Sequence, residues 1–159
     1  MGEKKVKSIR ELSKIVNRRR ENKIIVFTNG CFDLLHMGHV RYLKKAKSLG
    51  DILIVGINSD NSVRKIKGKK RPITPEKERA EIIASLGCVD YVTIFNDTTP
   101  NKVIKILKPD IHVKGGDYKI NEVPESKIVE SYGGKTIILG KVKNKSTKNI
   151  IEKILRLCR

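Results

Sequence analysis

Short apolar runs alternate along this chain with stretches in which apolar residues recur every three or four positions. The run from Ile24 to Phe27 is continuous and rich in β-branched side chains, which is typical of a strand buried on both faces. Residues 40–49 instead repeat apolar residues at helical spacing and stop at Gly50. The pattern therefore predicts a buried strand followed by an amphipathic helix.

The same two patterns continue to the end of the chain. The predicted strands are Lys23–Thr28, Asp51–Ile57, Val89–Phe95, Ile111–Lys114 and Lys135–Leu139. The predicted helices are Val6–Arg19, Val40–Leu49, Asn61–Ile66, Pro75–Leu86, Thr99–Leu107, Glu125–Tyr132 and Thr147–Leu157. Strands that alternate with helices pair in parallel through right-handed crossovers. We therefore predict a single-domain α/β fold, a doubly wound parallel five-stranded sheet with helices on both faces.

Length and cysteine content fit a single globular domain. A chain of 159 residues suits one hydrophobic core. Neither a signal peptide nor an apolar run of transmembrane length is evident, so we expect a cytoplasmic protein without a membrane partner. Cys31, Cys88 and Cys158 are odd in number and contain no Cys-x-x-Cys pair. This pattern argues against a disulfide framework or a structural zinc site.

The connection between the first predicted strand and helix carries the most informative residues. His36 and His39 lie just before the helix, and Asn29 and Asp33 precede them. A helix start favours an anion through its N–H groups and dipole, and Gly38 lets the backbone approach that anion closely. Imidazoles can donate to phosphate oxygens, and titration near physiological pH would let them follow developing charge. We predict a phosphate site here, with ordinary surface or capping histidines as the alternative.

The charge makes nucleic acid an alternative partner. The formal net charge is +18, from 35 Lys and Arg against 17 Asp and Glu, which attracts polyanions. The few aromatic residues are scattered and form no stacking platform or known nucleic-acid module. The compact triplet Arg18–Arg20 suits a helix C-terminus. We therefore expect phosphorylated small molecules as partners rather than nucleic acid.

Polar residues follow four of the predicted strands. These segments are Asn29–Asp33, Asn58–Asp60, Asn96–Thr98 and Lys114–Asp117. The carboxyl ends of parallel strands share one rim of the sheet, and ligands collect there near a reversal of strand order. The four segments are therefore predicted to form one site.

The segment Asn29–His39, which ends in His36-Met-Gly-His39, resembles the His-x-Gly-His signature of the cytidylyltransferase-like nucleotidyltransferases. Within that family the chain is similar to the adenylyltransferase domain that makes ADP-heptose from heptose 1-phosphate. The segments that carry this similarity are Asn58–Val63, Lys67–Pro72, Arg79, Val89–Val92, Thr99–Pro100, Lys114–Tyr118 and Tyr132–Gly134. The resemblance runs from about Lys23 to Leu155. It implies a Rossmann-like fold, with an N-terminal helix over residues 1–22 packed on a nucleotidyltransferase domain over residues 23–159.

The resemblance also implies a reaction. An oxygen of a sugar 1-phosphate attacks the α-phosphorus of ATP in line and releases pyrophosphate, without a covalent enzyme intermediate. ATP is then a substrate, and Mg²⁺ is expected to be held by substrate phosphates and water rather than by a cage of carboxylates. Relatives are often dimers, so a homodimer is expected.

Roles come from the resemblance residue by residue. Catalytic roles fall to His36, His39 and Lys67. Nucleotide-binding roles fall to Asn29, Gly30, Cys31, Phe32, His36, Gly38, His39, Lys69, Gly115, Asp117, Ser146 and Thr147. Substrate-binding roles fall to Asp33, Lys67, Arg79 and Lys114. No residue is assigned to a metal.

Four of these assignments have a structural alternative. Lys67–Arg71 is either a lid over the phosphates or a solvated loop. Arg79 either reaches the anions bidentately or lies exposed on its helix. Asp33 orients a histidine, holds sugar hydroxyls or caps the turn. Asp117 either contacts nucleotide or follows a plain glycine turn.

Three departures from the family pattern keep other functions open. In Lys145–Lys148, Lys148 replaces the second threonine of a Ser-Thr-Thr segment. Gly87-Cys88 stands where related cytidylyltransferases have an arginine, and residues 123–126 differ from the heptose enzymes. The alternatives are a sister cytidylyl- or adenylyltransferase acting on glycerol 3-phosphate, another alcohol phosphate or FMN, and a nucleic-acid-binding module.

Overall fold

Five parallel strands form a single sheet in the computed structural model, which describes residues 3–140 and 146–158. The strands are β1 (Ile25–Gly30), β2 (Ile52–Asn58), β3 (Tyr91–Phe95), β4 (Ile111–Gly115) and β5 (Lys135–Leu139). The helices are α1 (Ile9–Arg19), α2 (Met37–Lys47), α3 (Asp60–Lys67), α4 (Glu76–Ala84), α5 (Asn101–Leu107), α6 (Ser126–Glu130) and α7 (Thr147–Leu157). Short 3₁₀ helices cover Glu3–Lys5 and Ile120–Glu122. The predicted α/β fold is confirmed.

The strand order β3-β2-β1-β4-β5 places the first strand in the middle of the sheet. The chain moves outward from β1 to β3 and then returns across the sheet to β4, on the other side of β1. The connections after β1 and β4 therefore leave in opposite directions. A crevice opens between two such connections at the carboxyl ends of the strands, so the topology favours a ligand site where β1 and β4 end.

Most elements begin or end one to three residues from the predicted positions, and two of these differences concern this rim. β1 ends at Gly30 rather than Thr28, so Asn29 belongs to the strand. α2 begins at Met37 rather than Val40, because His36 supplies a side-chain cap. The histidine pair therefore belongs to the first turn of the helix.

The core consists of one apolar cluster on each face of the sheet. Alternate residues of the central strands supply both clusters, since Val26 points to one face while Ile25 and Phe27 point to the other. α2 and α4 cover the first cluster, and α1, α5 and α6 cover the second. Each buried aliphatic side chain contributes about 1.5–3 kcal/mol relative to an exposed one.

The amino-terminal helix α1 packs on the second cluster. Ser8 and Glu11 form a capping box, in which the Ser8 N–H donates to Glu11 Oε2 at 2.8 Å and Ser8 Oγ accepts from the Glu11 N–H at 3.3 Å. Leu12 and Val16 are fully buried. The triplet Arg18–Arg20 ends the helix, as predicted. The division of the chain at residue 22 stays a prediction.

We expect Leu12→Ala to lower the free energy of unfolding by about 2–5 kcal/mol, because it leaves a cavity beneath α1. Urea denaturation followed by circular dichroism measures the change. Leu155→Ala is the matched control, since Leu155 is 59% exposed on α7 and its truncation should cost less than about 0.5 kcal/mol. Equal unfolding midpoints for the two variants would mean that α1 is not an integral part of the core.

Candidate active site

His36 and His39 cap the amino end of α2 with their side chains. Nδ1 of His36 accepts the Gly38 N–H at 3.1 Å, and Nδ1 of His39 accepts the His36 N–H at a longer 3.4 Å. An imidazole nitrogen that accepts a hydrogen bond carries no proton, so each neutral ring has its proton on Nε2. The helix cap therefore selects one tautomer in both rings and puts the N–H of each neutral ring at Nε2.

The two imidazoles are stacked and supported from one side by an aromatic ring. Their centroids lie 3.9 Å apart with an interplanar angle of 26°, and the Phe32 centroid lies 5.2 Å from that of His39. Phe32 is buried and has a positive φ of 47°. Gly30 makes room for this ring, since a Cβ there would lie 3.0 Å from it. Gly30 and Phe32 thus hold the histidine pair in place.

His39 is neutral at physiological pH. Burial, together with the neighbouring His36, lowers the pKa of His39 from 6.5 to about 4. A buried imidazolium loses its hydration, and this cost favours the neutral form. The expectation that both histidines titrate near physiological pH is therefore wrong for His39, whose neutral ring carries its proton on Nε2.

Asp33 joins the histidine loop to the loop that precedes α4. Its carboxylate is buried and accepts the N–H groups of Ile73 and Thr74, both at 2.9 Å, and Nε of Arg71 at 2.6 Å. Burial by itself raises the pKa of Asp33, but the N–H groups of Thr74 and Ile73 and the Arg71 guanidinium hold it below the usual 3.8. The carboxylate therefore ties its loop to the segment before α4 through contacts that the sequence did not predict, and its three predicted roles stay predictions.

Arg79 is enclosed beneath the loops and not exposed on its helix. Its side chain has no accessible surface, so the exposed alternative is wrong. Nε donates to Thr74 O at 2.9 Å, Nη1 to Cys31 O at 2.5 Å and Nη2 to Asp60 Oδ1 at 2.8 Å. One guanidinium thus connects three loops of the rim. Its predicted contact with a substrate anion stays a prediction.

Lys67 and Lys69 flank the positive-φ residue Gly68, with φ 98°, at the end of α3. Both are exposed, and neither ammonium has a partner within the described part of the chain. Burial raises the pKa of the Cys31 thiol, and the positive charge of Lys67 acts against that rise. The Lys67 charge therefore reaches the histidine loop and is available to an anion bound there.

The predicted residues around Gly115 share this rim. Gly115 ends β4 and Gly116 follows with φ 142°, a conformation that favours glycine. A Cβ on Gly115 would lie 3.1 Å from the Tyr42 ring, so the backbone approaches that ring closely. Asp117 is exposed. Lys114 is half-buried, and its Nζ lies 3.5 Å from Oε1 of Glu125.

The start of α7 lies against the histidine loop. Ser146 is the N-cap, and its Oγ accepts the Asn149 N–H at 3.1 Å. Thr147 Oγ1 donates to Leu34 O at 3.4 Å. This contact brings the two predicted nucleotide-binding residues next to the loop that carries His36, while Lys145 lies outside the described residues.

Sequence reasoning missed two buried ionisable residues beside these groups. His112 is completely buried, and its Nε2 lies 3.3 Å from Oδ1 of Asn29. Glu125 is 4% exposed and pairs with Lys114. For His112, the signal in the sequence was an ionisable residue inside the otherwise apolar strand from Ile111 to Val113.

Other features of the molecule lie away from the rim or are not found. A concavity of about 540 Å³ lined by Arg20, Lys108 and Tyr132 faces the amino ends of the strands, opposite the predicted site. Across residues 3–140 and 146–158, no three His, Cys, Asp or Glu side chains cluster as metal ligands do. No helix in those ranges is long and apolar enough to span a bilayer.

The burial of His39 and His112 predicts an acid-sensitive fold. Their pKa values are lowered to about 4 from 6.5, so between these values the unfolded chain binds more protons than the folded one. The free energy of unfolding should therefore fall as pH drops from 6.5 towards 4. Urea titrations across this range measure the slope, and His39→Gln should flatten it. A slope that is the same in the parent and in His39→Gln would contradict the lowered pKa.

The comparisons with known proteins identify the family of the chain. The family described as Cytidylyltransferase-like matches residues 27–154. The chain is 51% identical over 156 residues to the bifunctional protein HldE of Geobacter sulfurreducens and 56% identical over 145 residues to that of Helicobacter pylori. These matches cover 98% and 91% of the chain but only 32% and 30% of the relatives. The chain thus spans about a third of their length.

Two solved structures have the same fold. The lipopolysaccharide core biosynthesis protein from Thermoplasma volcanium matches with a TM-score of 0.64 and 34% identity, over 78% of this chain and 100% of that one. A pantoate-beta-alanine ligase from Francisella tularensis matches with a TM-score of 0.64 and 20% identity, over 95% of this chain and 78% of that one, a likeness of fold alone. The chain belongs to the cytidylyltransferase-like family.

Proposed function

We propose that the chain is an adenylyltransferase that transfers AMP from ATP to a sugar 1-phosphate, heptose 1-phosphate, with release of pyrophosphate to give ADP-heptose. The observation that carries the proposal is the capped histidine pair at the amino end of α2, where two Nε2–H donors lie beside a helix terminus. Identities of 51–56% to bifunctional HldE proteins support it.

The proposed reaction needs no base from the protein. An acceptor phosphate oxygen, already ionised at neutral pH, forms a bond to the α-phosphorus of ATP. The bond from the α-phosphorus to the bridging oxygen breaks, and its electron pair leaves with pyrophosphate. The protein's contribution is to align the two substrates and to stabilise the charge that grows on the leaving group.

His36 and His39 fit the leaving pyrophosphate. Their Nδ1 atoms accept backbone N–H groups, so the rings are oriented before any ligand arrives. A neutral Nε2–H donor does not repel the cations that accompany a triphosphate. Positive charge comes from Lys67 and Lys69, whose ammonium groups have no partner within the described residues and can move to the phosphates.

We propose that Mg²⁺ arrives with the triphosphate. In the described part of the chain, the carboxylates beside the histidine loop do not fit a dedicated metal site, because Asp33 pairs with Arg71 and Asp60 pairs with Arg79. An ion held by phosphates and water needs no such ligands.

Three further expectations stay proposals. They are a homodimer, a cytoplasmic location, and an organisation in which residues 1–22 pack on a nucleotidyltransferase domain formed by residues 23–159. Sedimentation equilibrium tests the first. The other functions considered from sequence, a sister cytidylyl- or adenylyltransferase and a nucleic-acid-binding module, are not favoured by the relatives.

Replacement of His36 or His39 by alanine should lower kcat on the order of a hundredfold, because each variant loses a donor to the leaving group. The assay is pyrophosphate release from ATP and heptose 1-phosphate with Mg²⁺. Lys45→Ala on the exposed face of α2 is the control and should keep the parental kcat.

The same assay separates the proposal from its alternatives. Release with CTP and glycerol 3-phosphate, or with ATP and FMN, but not with heptose 1-phosphate would replace the substrates proposed here. Parental turnover in both histidine variants would remove the catalytic role of the pair.

Asp33→Asn and Arg71→Met should each raise the KM for ATP by roughly tenfold, since either change releases the loop that carries Lys67 and Lys69. If Asp33 acts through this loop, the double variant should be no worse than the poorer single variant. Steady-state kinetics on the three variants measure the coupling. Multiplicative effects would instead mean that Asp33 touches the substrate itself.

A further inference from the structure

Two polar side chains lie side by side at the point where β1 and β4 end. The register pairs Phe27 with His112 and Thr28 with Val113, so its continuation brings Asn29 opposite Lys114. Side chains alternate along a strand, which puts Asn29 on the same face as Phe27 and Lys114 on the same face as His112. The stacked rings of Phe27 and His112, with centroids 5.9 Å apart, fix that face as a common one.

His112 holds the first of these side chains from below. Its imidazole is completely buried, and its Nε2 lies 3.3 Å from Asn29 Oδ1. An amide oxygen only accepts, so Nε2 donates and the Asn29 NH₂ group is turned away from His112. Within the described part of the chain this NH₂ group has no hydrogen-bond partner, while Nδ1 of His112 is buried and also without one. His112 therefore makes one polar side-chain contact, and that contact orients Asn29.

Glu125 holds the second side chain in the same way. Its carboxylate is 5% exposed, and Oε1 lies 3.5 Å from Nζ of Lys114, which is 27% exposed. The other oxygen, Oε2, is buried without a partner in the described residues. Glu125 also belongs to residues 123–126, the segment that departs from the heptose enzymes. The buried member of each pair thus faces the core, and the half-exposed member faces the crevice.

The position of the two pairs separates them from the histidine loop. Phe27 belongs to the cluster covered by α1, α5 and α6, whereas Leu43 and Ala46 of α2 belong to the cluster on the other face. A triphosphate at the amino end of α2 approaches the crevice from the α2 side. The Asn29 and Lys114 donors approach the same crevice from the opposite side, between β1 and β4.

We propose that His112 and Glu125 are positioning residues that hold the Asn29 amide and the Lys114 ammonium as a paired donor surface for the oxygen-rich, phosphorylated acceptor. The proposal rests on the adenylyltransferase function stated above and adds to it the residues that select the second substrate. It assigns Asn29 to the acceptor instead of the nucleotide-binding role that the family resemblance implies. An amide N–H and an ammonium side by side suit phosphate or hydroxyl oxygens. Neither buried residue touches the substrate, because both lie beneath the side chains that do.

The test compares KM for heptose 1-phosphate with KM for ATP in matched variants. His112→Leu removes the donor to Asn29, and Glu125→Gln removes the charge that holds Lys114. His112→Gln restores an N–H donor near the position of Nε2. Thr136→Val is the control, since Thr136 pairs with His112 in the sheet and its Oγ1 is buried without a partner in the described residues.

We expect His112→Leu and Glu125→Gln to raise the KM for heptose 1-phosphate roughly tenfold while the KM for ATP stays within about twofold, as loss of one oriented hydrogen bond implies. His112→Gln should return most of the loss, and Thr136→Val should match the parent. Unchanged acceptor KM in folded His112→Leu and Glu125→Gln would overturn the proposal. Equal rises in both KM values, or the same rise in Thr136→Val, would also overturn it.

A second readout does not depend on turnover or on the leucine variant. In the parent and in His112→Gln, the side-chain NH₂ resonances of Asn29 should be sharp and displaced from the chemical shifts of a freely rotating side chain. In His112→Leu they should show the averaged shifts of a freely rotating side chain. If His112→Leu does not fold, His112→Ala serves for this comparison. An averaged Asn29 amide in the parent would overturn the positioning role. A parent with an ordered Asn29 that releases no pyrophosphate would overturn the proposed function alone.

Discussion

Two backbone N–H groups at the start of α2 donate to imidazole nitrogens, and the arrangement of the rim depends on this choice of cap. Most helices use a serine, aspartate or asparagine oxygen at this position, and those side chains are used up by capping. An imidazole has a second nitrogen, so His36 and His39 accept from the backbone at Nδ1 and still carry a donor at Nε2. The same two side chains therefore accept backbone N–H groups at the helix start and carry ring N–H groups at Nε2.

The remaining charged groups of the site fall into two sets. Asp33, Asp60, Arg71 and Arg79 bind one another or the backbone, and together they tie the loops after β1 and β2 to the segment before α4. Breaking such a buried pair typically costs about 3–5 kcal/mol, because it leaves an unpaired charge in the interior. Lys67 and Lys69 stay exposed and without partners in the described residues. Ion pairs thus fix the loops of the rim, while the charges of Lys67 and Lys69 stay exposed to solvent.

The fold, and the rim of the sheet that carries the candidate site, could be predicted from the sequence. The continuous apolar strands predict a parallel sheet, and the polar segments after four of those strands lie on one rim because all the strands run the same way. Such patterns predict structure correctly because they depend only on residues that are neighbours along the chain. The position of the paired histidines could be predicted for the same reason, since a strand precedes them and a helix follows them directly in the sequence.

What failed in the sequence analysis depended on contacts between distant residues. Arg79 reaches Cys31, and Asp33 reaches Thr74, across separations that no periodicity records. The pKa of His39 follows from the amount of surface that Phe32 and the loop cover, which composition does not contain. His112 sits within an apolar strand and is visible only as an exception to it. The contact between His112 and Asn29 can be recognised only when the pairing of β1 with β4 is known.

The most direct test of the account is the tautomeric state of the two loop histidines. A long-range proton–nitrogen correlation spectrum of uniformly ¹⁵N-labelled protein near pH 7 reports which ring nitrogen carries the proton. We expect His36 and His39 both to show protonated Nε2 and unprotonated Nδ1. A protonated Nδ1 in either ring, or an averaged pattern from exchanging tautomers, would contradict the capping arrangement from which the proposed chemistry follows.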